Sequence, residues 1–152
     1  MTSKAEELRN RTKQFAIRIV RLYQAMPKTI EAQVIAKQLL RSGTSVAANY
    51  RAVCRARSQK EFIAKIGIVI EEADESVFWL ELLTETDIFP EHKLGNLRQE
   101  ANELLAIFAA SQRTAKRQSK LNDPIFAQIG HTSIHNDNRR QPESRRHTGD
   151  GD

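Results

Sequence analysis

The stretch Leu39–Phe62, "LLRSGTSVAANYRAVCRARSQKEF", decides how the chain is to be read, because three different signals meet in it. Leu39 or Leu40, Val46, Tyr50 and Val53 keep helical spacing, so the segment is the second half of an amphipathic helix. Gly43, Ser45, Ala47 and Ala48 then interrupt its bulk, and a glycine inside a helix costs about 1 kcal/mol relative to alanine. Gly43 and Ala47 lie one turn apart with Ala48 beside them, a smooth strip whose compensation is the close approach of another backbone. Arg51, Arg55 and Arg57 crowd the helix end, and "SQKE", Ser58–Glu61, is a capping box that starts a new helix almost at once. So short a connection makes the two helices antiparallel neighbours.

Working outward, the same grammar recurs. Ser3 and Glu6 form another capping box, ahead of a helix on Leu8, Phe15, Ile19, Leu22 and Met26, with Arg9, Lys13, Arg18 and Arg21 mostly off that face. Pro27 ends it, lacking an N–H and disfavouring helix at Met26. Thr29 caps the second helix, about Ile30–Arg55, whose apolar series also takes in Val34 and one of Leu39 and Leu40. The third carries Phe62, Ile66, Val69, Ile70, Ala73, Val77, Leu80 and Leu83 and stops at Thr84–Thr86. After a break at Asp87–Pro90, a fourth runs from about Pro90 to Arg117 on Leu94, Leu97, Ala101, Leu104, Leu105 and Phe108. With no strand pattern, the expected fold is all-α: an up-down-up-down four-helix bundle over residues 1–118. Residues 119–152 are polar and aperiodic and read as a disordered tail, in which Ile125, Phe126 and Ile129 are apolar positions able to dock transiently.

Composition narrows the function classes. A chain of 152 residues, 39% hydrophobic and 28% charged, suits one domain. No apolar run approaches the roughly 18 residues needed to cross a bilayer, the N-terminal "MTSKAEELRNRTKQF" has no apolar signal segment, and Cys54 stands alone; a cytoplasmic protein is expected. The net charge of +5 conceals bands: residues 1–65 carry 14 Lys/Arg against 4 Asp/Glu, residues 66–91 none against 8, and residues 92–120 6 against 2. Such a chain can bind polyanions, or pair its own bands within or between subunits.

The segments "QFAIRIVRLYQAMP", "AKQLLRSGTSVAANYRAV", "SQKEFIAKIGIVIEEADESVFWLELL" and "LRQEANELLAIF" resemble the four-helix bundles encoded in the intervening sequences of bacterial 23S ribosomal RNA genes, over about residues 8–115. They are also similar to the accessory variability determinant of diversity-generating retroelements. The resemblance implies a small cytosolic bundle, a ring-like homopentamer, a basic surface that binds nucleic acid in some members, and no catalytic activity. Where many members follow the second-helix Asn with an Ala-Glu-Gly-like segment, this chain has "YRAVCRARS" after Asn49, placing arginine where glycine is usual.

The residues offer a candidate site of their own. Arg41, Arg51, Arg55 and Arg57, with Lys60 and Lys65 beyond the turn, suit phosphate, since guanidinium donates paired hydrogen bonds and stays charged. The plainer reading is that cations at a helix C-terminus complement its dipole, for about 0.3–1 kcal/mol each. The acidic run Glu71, Glu72, Asp74 and Glu75, with Glu81 and Glu85, invites comparison with di-iron bundles, which need E-x-x-H pairs. The residues three before His92, His131, His135 and His147 are Phe89, Gln128, Thr132 and Ser144, so neither metal nor cofactor is expected. The ladders Glu71/Glu75 and Arg51/Arg55 are instead expected to meet, within or between chains. Cys54 reads as a partly buried thiol. Of Phe78 and Trp79, one ring should pack inside and the other face out. Gly43, Ala47, Glu71, Glu75 and Trp79 are the expected oligomer contacts. Two readings stay open. One is a non-enzymatic oligomer that binds RNA or DNA backbones, as accessory to a reverse transcriptase or another nucleic-acid enzyme; the other is an assembly protein whose charge bands serve subunit contacts alone.

Overall fold

The computed structural model describes residues 1–125 and 128, of which Met1–Ser119 form one compact unit. Four helices make up that fold: α1 Lys4–Ala25, α2 Ile30–Val53, α3 Gln59–Glu85 and α4 Glu91–Leu121, with no strand among the described residues. The expected tail lies largely outside the described residues, as do Phe126, Ile129, His131, His135 and His147.

Local chemistry sets each boundary. Ser3 Oγ accepts from Glu6 N and Glu6 Oε2 accepts from Ser3 N, both at 3.2 Å, completing the first capping box. Met26 turns extended ahead of Pro27, and Gln33 Nε2 donates to Pro27 O at 2.8 Å, tying the turn to α2. Thr29 caps α2 through Ala32 N. Ser58 caps α3 through Glu61 N at 3.0 Å, but the Glu61 carboxylate reaches one residue further back than in a closed box and accepts from Arg57 N. At Asp87 the backbone is left-handed, φ 56°, which folds the chain over between α3 and α4.

The antiparallel order follows from side-chain partners. Ile19 of α1 sits against Gly43 of α2, and Ser76 Oγ of α3 donates to Ser42 Oγ of α2 at 2.9 Å. Gln59 and Gln112 bridge α3 and α4, donating to Ala115 O and Ile63 O, and Arg11 of α1 clasps Glu100 and Glu103 of α4. Gly43 explains how α2 passes unbroken through its small residues: a Cβ there would lie 2.8 Å from Ile19 Cγ1, so only glycine admits Ile19, which is fully buried. Phe15, Ile19, Leu39, Val46, Ile66, Leu80, Leu104 and Phe108 are central to the core, and the Tyr50 and Phe108 rings lie 5.5 Å apart. Every buried side-chain nitrogen or oxygen among the described residues has a hydrogen-bond partner.

Three expectations are corrected. Val34 is 57% exposed, because the inner face of α2 runs through Ala32, Ala36 and Leu39. Cys54 is exposed, because α2 stops at Val53 and Cys54 is its C-cap, already leaving the bundle. The fourth helix runs four residues beyond Arg117, to Leu121.

Candidate nucleic-acid interface

The six basic residues singled out in the sequence divide into two sets. Arg41 projects from α2 to α3, where it donates to both Glu72 and Glu75. Its hydrogen bond, helped by one from Trp79 Nε1 and opposed by burial, holds the Glu75 carboxyl below the usual carboxylate range. Arg57 and Lys65 both turn to Glu61, whose carboxyl is likewise held low, chiefly by the Lys65 hydrogen bond and then by Arg57 N. Arg51, Arg55 and Lys60 form no ion pair with any described residue and are exposed.

Arg9 and Lys13 of α1, also without an ion pair among the described residues, lie beside this set. Because α1 and α2 run antiparallel in the register fixed by Ile19 and Gly43, Arg9 and Lys13 come alongside Arg51 and Ala47. With Asn10 and Ala48 they line a cleft of about 360 Å³. Arg9 and Lys13 form no ion pair with a described residue, whereas Arg11, between them in sequence, turns to α4 and takes Glu100 and Glu103. The positive field of Arg9 also reaches Tyr50, whose phenol burial and the neighbouring Cys54 thiol push upward. Sequence reading left Arg9 and Lys13 among generic outer residues. Their i, i+4 spacing was visible; that a third cation faces them depends on the inter-helix register.

The expected contact residues scatter. Gly43 is buried by Ile19 of its own chain, and Ala47 lines the cleft. Glu71 is exposed, while Glu75 and Trp79 are half-buried and hydrogen-bonded to each other. Within the chain the two ladders do not meet: Glu75 pairs with Arg41, and Arg51 and Arg55 face solvent. Phe78 is the outward ring and Trp79 the inward one, packed edge to face with centroids 4.8 Å apart. A larger groove of about 650 Å³, walled by Leu8, Tyr50, Phe62 and Ile107, is apolar and has Lys4 as its one charged side chain. Among the described residues no group of three or more His, Cys, Asp or Glu converges as a metal site would require, and no helix is long and apolar enough to cross a membrane.

Fold and surface together define a four-helix bundle with Arg9, Lys13 and Arg51 lining one cleft between α1 and α2. The chain belongs to the 23S rRNA-intervening sequence protein family, whose model matches residues 5–110. It is similar to the crystal structure of a protein of unknown function from the S23 ribosomal protein family of Bacteroides thetaiotaomicron. The two share 32% identity over 73% of this chain and 99% of that one, with a TM-score of 0.67. No curated protein matches it.

Proposed function

We propose that this protein is a non-enzymatic, cytoplasmic, oligomeric bundle, a homopentamer as its resemblance implies, that binds nucleic-acid backbones and serves as accessory to a nucleic-acid-processing enzyme. One observation carries the reading: Arg9, Lys13 and Arg51 converge on one cleft with no ion-pair partner among the described residues, and Arg55 and Lys60 lack one too, whereas Arg11, Arg41, Arg57 and Lys65 find carboxylates. Cations left in this way raise the local potential and suit phosphate. With no base-reading motif, binding should be salt-sensitive and weakly sequence-specific.

Titration of fluorescent RNA and DNA against the full chain at about 50 mM and then 200 mM salt tests this, and affinity should fall at least tenfold between them. An intact oligomer that binds neither nucleic acid at the lower salt would sink the proposal. The second reading, assembly alone, draws on the exposed Phe78 ring beside Trp79, an apolar surface of the kind that subunits cover. Arg51→Ala with Arg55→Ala separates the two: lost binding at unchanged mass supports a nucleic-acid surface, and dissociation supports assembly.

A further inference from the structure

We propose that the cleft between α1 and α2 seats one phosphodiester of a single-stranded nucleic-acid segment, with Arg9, Lys13 and Arg51 as its charge partners and Ala47 and Ala48 as its floor. This rests on the nucleic-acid reading above and adds a place and a strand type to it.

The cleft is a consequence of helix register. Gly43 draws α2 against Ile19, and from there toward the α2 C-terminus the small side chains of Ala47 and Ala48 leave space where larger residues would close the seam. Arg9 and Lys13 are one turn apart on α1, and Ala47 and Arg51 are one turn apart on α2. Three corners of the resulting quadrilateral are cationic and the fourth is a methyl group. Like charges one turn apart repel, so the empty cleft is electrostatically unfavourable and an anion relieves it. Acids near it are directed elsewhere: Glu6 closes its capping box, Glu100 and Glu103 hold Arg11, and the field of Glu7 also acts on Arg11.

Size and lining then select the ligand. A volume of about 360 Å³ lies at the low end of the roughly 300–1,000 Å³ of small-molecule pockets, enough for a phosphate and its sugar. A duplex is stiff and presents its phosphates at fixed spacing on a convex edge, so it touches a recess between two helices without entering it, whereas a single strand bends and can place a phosphate and its sugar inside. No aromatic ring lines the cleft, so bases have nothing to stack on and the seat is indifferent to sequence. Asn10 adds a neutral donor and acceptor at the rim, suited to a sugar hydroxyl or phosphate oxygen.

Anisotropy titrations of the full chain with an unstructured RNA and DNA of about 20 nucleotides, and with a blunt duplex of the same sequence, test the inference. Single strands should bind more tightly than the duplex. Ala47→Leu, which fills the cleft without changing charge, and Ala47→Glu, which neutralises it without removing a cation, should each weaken single-strand binding about tenfold. Arg9→Gln, Lys13→Gln and Arg51→Gln should each lower the salt slope by about 0.7, Lys13→Arg should restore binding, and Arg18→Gln, outside the cleft, should change nothing. A duplex bound as tightly as the single strand, or an Ala47→Leu variant with native affinity, overturns the seat while leaving the backbone-binding reading intact. A native chain that binds no nucleic acid overturns both.

Discussion

At position 43 two local preferences oppose each other. Alanine would improve helix propensity by about 1 kcal/mol, but its Cβ would stand 2.8 Å from Ile19 Cγ1 and 3.1 Å from Cγ2. Ile19 is fully buried and β-branched, so it cannot swing away, and overpacking of this kind costs about 1–3 kcal/mol. Gly43→Ala should therefore be destabilised by about 1 kcal/mol net in urea unfolding, against the sign that propensity alone gives. Removing the obstacle supplies the control. Ile19→Ala is costly by itself, but in its background Gly43→Ala should become neutral or stabilising, a coupling of at least about 1 kcal/mol in the double-mutant cycle. Additive effects would show that Ile19 is not what excludes a side chain at 43.

At the scale of helices, α2 and α3 are joined by a neutral and a charged link: the buried chain from Ser76 through Ser42 to Leu39 O, and Arg41 on Glu72 and Glu75. The charged link has a definite pH signature. Glu75 titrates below the usual value in the folded chain, so its contribution is complete above about 4.3, the unfolded carboxyl value, and is lost as pH falls through the folded one. Urea midpoints of Arg41→Gln and the native chain should accordingly differ at pH 7 and converge toward pH 3; a gap that persists in acid would assign the effect to packing of the arginine stem. How much of these elements the sequence disclosed follows from the range of each interaction. Ser3, Thr29 and Ser58 act on amides three residues away, and the starts of the first three helices were therefore legible. The strip at Gly43 announced a close approach but could not say to what, since Ile19 lies on another helix. Arg41 looked equivalent to Arg51 because their difference lies across the seam, in whether α3 brings an acid opposite. Val34 kept apolar spacing without joining the buried face, because hydrophobic periodicity does not say where a helix neighbour ends.

For the whole molecule, the proposed oligomer and the proposed cleft are linked through multiplicity. A single cleft with three cations yields weak, salt-sensitive binding. Copies held in one assembly bind a strand that spans them with an effective concentration set by the strand, which raises affinity without a new contact. The residue best placed to uncouple the two is Phe78, a half-exposed ring on α3, a helix that lines no part of the cleft. If its apolar face is covered by a neighbouring copy, Phe78→Glu places a charge in that contact and should lower the mass measured by light scattering. The same variant should keep native affinity for a strand short enough to reach one cleft and lose about tenfold or more for one long enough to reach several. Unchanged mass would remove Phe78 from the assembly surface. Reduced mass with the long strand still tightly bound would mean that each bundle binds independently, and the ring would then serve some purpose other than avidity.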